Sequence, residues 1–303
     1  MKTLKSMFFL LVISLAGLVG CSEAMSPDDG GVTTRGQALS ADDAVTHFAT
    51  TKDNKTIAYR VIGSGAQDIV LVHGWSVSGT VYDNLIGELA GPDYRLIVPD
   101  LRGTGDSDKP NGGHSLENYL KDVEAVVADA GATDYVLVGH SMGGAIAQKF
   151  AAKNDSDLSG LVLMSPVPAS GFPLPQQFYD LFWASAEDPQ LQAFIFTISS
   201  VDLAQDDLNH LLASAATVTP KASRQSLDAW TQADFADMVG QIQTPTLVMV
   251  SDDPFMTPGL LQQLVVDPIP NASLTYFGGA GHYLQVEDPA QTASNIDGFI
   301  AGL

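Results

Sequence analysis

The segment DYVLVGHSMGGAIAQKFAAK (134–153) limits the possible folds more than any other part of the chain. DYVLVG reads as a buried strand and Met142–Lys153 as a helix. Between them stands GHSMGG (139–144), almost without bulk on either side of one serine, Ser141. A hydroxyl is presented above a sheet edge only if its residue sits in a sharp, strained strand-to-helix turn. Side chains at the flanking positions would collide with the neighbouring strand and helix, so glycine is required there. The N-terminus of the following helix brings a positive dipole end to any negative charge that forms nearby. A glycine-rich turn that merely packs tightly would explain the glycines, but not their placement between a strand and a helix.

The remainder of the chain repeats the same alternation. Ala44–Thr51 and Thr56–Ile62 are predicted strands joined by a hairpin at Lys52-Asp53-Asn54-Lys55. Further strands are predicted over 68–74, 94–100, 134–139, 158–166, 245–251 and 272–278. Helices are predicted over 80–90, 115–131, 142–153 and from Pro289 to the end. In the 115–131 segment Leu116, Tyr119, Leu120, Val123, Val126 and Val127 follow helical spacing up to Gly131. Near-continuous Val/Leu/Ile strands separated by helices mean an α/β fold: a mostly parallel eight-stranded sheet with helices on both faces. From about Pro168 to Gln243 no strand is convincing, and this insertion reads as a helical cap. The domain reading is therefore a core of 44–167 and 244–303 with a cap of 168–243.

The first twenty residues read as an export signal. Lys2 and Lys5 precede an uncharged, mostly apolar run too short for a comfortable membrane span. The run ends in Leu18-Val19-Gly20-Cys21, which resembles the lipobox of bacterial lipoproteins, so Cys21 is the expected lipidation site. Residues 21–43 have the composition of a flexible tether reaching about 25 Å. The expected location is outside the cytoplasm, on the periplasmic or cell-surface side, with the membrane as partner through the lipidated Cys21. Ser22 in place of Asp leans towards the outer membrane. Cys21 is the only cysteine, which excludes disulfides and cysteine metal sites by count. The formal net charge of −21 argues against nucleic acid as a partner.

A serine nucleophile needs a base and an orienting acid. In strand–elbow–helix folds the chain order is serine, acid, histidine. Of six histidines only His210 and His282 follow Ser141. His210 lies in the cap before any acid at a core-strand end, so His282, in GGAGHYLQ after the last strand, is the expected base. His140, whose side chain points away from that of Ser141, is read as a packing or hydrogen-bonding residue. The strand PTLVMVS runs into Asp252-Asp253-Pro254-Phe255, and one of these two aspartates is the expected acid. The expected oxyanion donors are the backbone N–H groups of Met142 and of Trp75, in the turn His73-Gly74-Trp75. The ring of His73 is expected to anchor that turn.

HGW (73–75), DLRGTGDSDKP (100–110), GHSMGG (139–144), PTLVMVSDDPF (245–255) and GAGHYLQVEDP (280–289) occur in the order typical of the α/β-hydrolase fold family, and the chain resembles that family over about 45–303. The resemblance selects Asp253, since relatives usually carry G-x-x-D-P at this point. Val250 stands where they have glycine, and Asp252 stays as the alternative. It implies acyl chemistry at Ser141, because the dehalogenase and epoxide-hydrolase branches carry aspartate there. It assigns Asp100 and Arg102 to a loop near the site, without chemistry. No metal or organic cofactor is implied.

The cap is rich in aromatics: Phe172, Phe178, Tyr179, Phe182, Trp183, Phe194, Phe196 and Trp230. Most are expected in its own core and a few in the pocket with Trp75 and Phe255. No Arg or Lys occurs between Lys153 and Lys221, which favours a neutral, moderately apolar ester or lactone. Peroxidase- or perhydrolase-like chemistry and C–C bond hydrolysis use the same triad. A lipid-anchored binding protein without catalysis is the reading from another class. The sequence is silent on oligomeric state.

Overall fold

The computed structural model describes residues 39–89, 93–153 and 157–303. The signal segment, Cys21 and the tether up to residue 38 lie outside the described residues. In chain order the strands are β1 (Val45–Thr50), β2 (Thr56–Ile62), β3 (Gln67–Val72), β4 (Tyr94–Pro99), β5 (Tyr135–His140), β6 (Leu158–Met164), β7 (Thr246–Val250) and β8 (Ala272–Tyr276). The helices are α1 (Asp83–Glu88), α2 (Leu116–Asp129), α3 (Met142–Lys153), α4 (Gln176–Ser185), α5 (Pro189–Ser199), α6 (Gln205–Ala215), α7 (Pro220–Thr231), α8 (Pro258–Leu261), α9 (Leu284–Glu287) and α10 (Pro289–Ile300). Among the described residues the strands form one eight-stranded sheet in the order β1-β2-β4-β3-β5-β6-β7-β8. The β1–β2 and β2–β4 pairs are antiparallel and the other pairs parallel.

The central strands are mostly apolar because both of their faces are covered. Val70 and Val72 of β3 point into the cluster containing Tyr119, Val123 and Ile146 of α2 and α3. Ile69 and Leu71 point into the opposite cluster with Leu85, Ile86 and Ile296 of α1 and α10. Burying each such side chain contributes about 1.5–3 kcal/mol. Leu39 and Ala41 rest on the second cluster, so the last residues of the stretch read as tether are packed on the core.

Between β6 and β7 the described chain contains α4 to α7 and no strand. Most predicted elements recur within two or three residues. The predicted helix 80–90 divides into a 3₁₀ turn (Gly79–Tyr82) and the short α1, because Asp100 Oδ1 accepts from Gly79 N at 2.8 Å and holds the turn's start. The strand predicted over 68–74 stops at Val72, where His73 and Gly74 turn away from the sheet. Among the described residues two helical pieces after β7 were not predicted. One is α8 with the wide π-type turn Gln262–Val266, and the other is α9. Four or five residues give too few turns for a period to show.

The segment read as loop scaffold is built on buried charge. Arg102 is 1% exposed and bonds Asp122 of α2 at 2.6 Å and Asp53 of the β1–β2 hairpin at 2.7 Å. Asp100 accepts from Gly79 N and Asp106 N. The two residues therefore fasten the loop after β4 to a helix, a hairpin and a turn.

Candidate active site

Ser141 has φ = 54°, a left-handed conformation that costs a non-glycine residue on the order of 1–3 kcal/mol. The surroundings hold it there. Its N–H donates to Met164 O at 3.0 Å, and its carbonyl accepts from Val167 N and Gly144 N at 2.9 Å. A Cβ on Gly139 would strike the backbone of Gly143, and one on Gly143 would strike the carbonyls of Val72 and His73. The glycines at the elbow answer to these close approaches of α3 to β5 and β3.

His282 lies in the loop between β8 and α9. Its Nδ1 donates to Asp253 Oδ2 at 2.6 Å, which leaves Nε2 as the free ring nitrogen. Asp253 follows β7. Its Oδ1 accepts from Phe255 N at 2.8 Å and Met256 N at 3.0 Å, so the carboxylate orients one ring and one turn. Burial works to raise the Asp253 carboxyl, but the charge and hydrogen bond of His282, with the two amides, outweigh it and hold the group below the usual carboxylate range. Asp252 points elsewhere: it accepts from Tyr276 Oη at 2.7 Å and Gly279 N at 2.9 Å.

The turn after β3 runs beside the elbow. A Cβ added to Gly74 would lie 3.1 Å from Ser141 Cβ. His73 braces this turn. Leu101 N donates to its Nε2 at 3.0 Å, so the ring proton is on Nδ1, which donates to Gly74 O at 2.9 Å. Burial lowers the His73 pKa and keeps this tautomer neutral. Met142 opens α3, and its N–H belongs to the first turn, where no intrahelical carbonyl faces it. Trp75 is held by its own ring, with Nε1 donating to Ser223 O at 2.7 Å.

His140 is also braced. A carbonyl only accepts, so His140 Nε2 donates to His282 O, at 2.9 Å. Burial, then the charge of the neighbouring His282, pushes the His140 pKa down to about 3, so it is neutral.

Ser141 and His282 line one cavity of about 40 Å³, together with Trp75, Val167, Phe172, Leu174, Phe182, Ser199, Trp230, Phe255 and Met256. Among the described residues no lysine, arginine or carboxylate lines it. Trp75 stacks on Phe182 at 5.1 Å, and Trp230 meets both rings edge-on. Other cap aromatics lie elsewhere: Phe196 is fully buried against Tyr283, while Phe194 and Trp183 are exposed. The sequence carried no signal for Ser199, Val167 or Met256 as lining residues, because each arrives from a different element. Among the described residues no cluster of three or more His, Cys, Asp or Glu is placed to hold a metal.

This sheet order, with a serine elbow after β5, an aspartate after β7 and a histidine after β8, defines an α/β hydrolase. The sequence profile of the alpha/beta hydrolase family matches residues 69–295, and the chain belongs to that family. It is 29% identical over 253 residues to a non-heme haloperoxidase of Rhodococcus erythropolis, covering 78% of this chain and 92% of that one. An esterase (EaEST) from Exiguobacterium antarcticum superposes with a TM-score of 0.78 at 22% identity, covering 85% of this chain and 100% of that chain. Est816, described as an N-acyl homoserine lactone degrading enzyme, superposes with a TM-score of 0.71 at 26% identity, covering 84% and 100%.

Proposed function

We propose that the chain is a serine hydrolase that cleaves a neutral, moderately apolar carboxylic ester or lactone through an acyl-enzyme. The observation that carries this reading is the pairing of Asp253 with Nδ1 of His282, at 2.6 Å, behind an uncharged cavity that Ser141 also lines. In the proposed cycle Nε2 of His282 takes the Ser141 proton as Oγ attacks the substrate carbonyl. The N–H groups of Met142 and Trp75 receive the oxyanion. Collapse expels the alcohol, protonated by His282, and water activated by the same nitrogen releases the acid. The likeness to Est816 supports lactones within this class.

The test is turnover of p-nitrophenyl acetate and butyrate, with a fluorophosphonate probe located by peptide mapping. Labelling at Ser141 and a loss of about 10⁶-fold in kcat for Ser141→Ala are expected. Equal behaviour of wild type and variant would leave the non-catalytic binding reading in place.

The likeness to a haloperoxidase favours a second reading of the same site. Hydrogen peroxide in place of water would attack the acyl-enzyme, releasing a peracid and free serine. Peracid formed from an ester plus peroxide, and lost in Ser141→Ala, is the expected result under that reading.

A further inference from the structure

The loop that carries His282 is held more firmly than a surface loop needs to be. Ser251 Oγ donates to Gly281 O at 2.5 Å, His282 N donates to Ser199 O at 2.8 Å, and His282 O accepts from His140. The two remaining amides go to one carboxylate. Glu287 Oε2 accepts from Gly281 N at 2.9 Å, and Oε1 accepts from Tyr283 N at 3.1 Å. The same Oε2 also accepts from Val201 N, at 2.9 Å, in the cap segment that follows α5.

We propose that Glu287 is a positioning residue: its carboxylate clasps the backbone on both sides of His282 and fastens it to the cap at Val201, so that the seated cap holds the base in place. The inference rests on His282 being the base of the proposed hydrolase. Simple helix capping would account for a side chain at the end of α9 reaching back to Tyr283. It gives no reason for the bond to Val201, which is 86 residues away in the chain. The chemistry also calls for a carboxylate. Three N–H donors converge, a carboxylate offers about four acceptor sites, and an amide would turn its own NH₂ towards one of the donors. Close packing points the same way. A Cβ on Gly281 would lie 2.6 Å from Ser200 Cα and 2.7 Å from Ser199 O, so only glycine lets the cap backbone come this near.

The test compares Glu287→Gln with wild type after circular dichroism has established folding. A fall in kcat of about 10- to 100-fold on p-nitrophenyl acetate, with KM within twofold, is expected, since a shift of about 1 Å in a catalytic group has effects of that size. In a His282→Ala background the same substitution should change the residual rate less than twofold, because Glu287 acts through the ring. A general structural role would lower both backgrounds alike. Gly281→Ala, at a backbone conformation open to alanine, pushes the cap and loop apart from the other side and should show the same fall in kcat.

A readout independent of turnover is the low-field proton resonance of His282 Nδ1–H bonded to Asp253, expected in wild type and lost in Glu287→Gln. Unchanged kcat in a folded Glu287→Gln, or an undiminished loss in the His282→Ala background, would overturn the clasp. If wild type turns over no ester yet Glu287→Gln still abolishes the low-field proton, the hydrolase reading fails and the clasp stands. If the proton is unmoved, the clasp fails whatever the turnover.

Discussion

Asp252 and Asp253 are neighbours in the chain, yet their carboxylates point in opposite directions. Asp253 is 3% exposed and bonded to the ring of His282, whereas Asp252 bonds Tyr276 and Gly279 at the surface. Asp253→Asn should therefore lower kcat on p-nitrophenyl acetate by about 10⁴-fold, because an amide offers the ring the wrong partner and favours the wrong tautomer. Asp252→Asn should stay within a few-fold of wild type. The reverse order of effects would reassign the acid. At this scale Ser141, His282 and the pair Asp252/Asp253 were legible from chain order and turn chemistry. The choice within the pair came from resemblance to relatives, and the carboxylate that bonds the ring is that of Asp253. Glu287 was not legible, since an acid five residues past a loop histidine looks like any solvated carboxylate.

The cap contributes two kinds of element to the site. α4 and α7 bring Phe182 and Trp230 onto Trp75, and the end of α5 brings Ser199 against the histidine loop. Together they leave a small cavity of about 40 Å³. Acetyl and propionyl esters should accordingly have higher kcat/KM than octanoyl esters. Phe182→Ala should move that optimum to longer acyl chains while lowering stability by about 3–5 kcal/mol, the usual effect of removing a buried aromatic ring. A panel of p-nitrophenyl esters and urea unfolding check the two halves, and an unmoved chain-length optimum would place the acyl group outside this cavity. The cap's helical content was readable from an absence of strands and a richness in aromatics. Which aromatics face the cavity was not, because that depends on how four helices rotate against one another.

At the scale of the whole molecule, a very acidic chain contains buried neutral histidines. Burial is the leading cause that lowers the pKa of His73, His114 and His140, the last to about 3. An unfolded histidine titrates near 6.5, so below that pH the unfolded chain binds protons that the native state refuses. The stability that His140 supports is therefore full above pH 6.5 and falls towards pH 3, by up to about 1.4 kcal/mol per pH unit. The formal charge of −21 works the other way, since acidification relieves self-repulsion. The two are separated by a variant that keeps the hydrogen-bond donor but does not titrate. Between pH 7 and pH 5, wild type should lose about 2 kcal/mol more than His140→Gln in urea unfolding. An identical pH dependence in the two proteins would show that His140 takes no part in it.

Taken alone, the amino-acid order determined the alternation of strands and helices, the serine at a glycine elbow, the histidine after the last strand and the inserted cap. Each of these is written within a short window, in the period of apolar residues or the chemistry of one turn. Only the tertiary structure decided which aromatics close the cavity and that the cap is tied to the histidine loop. Those relations join groups separated by many tens of residues, and packing rather than local conformational preference brings them within hydrogen-bonding distance.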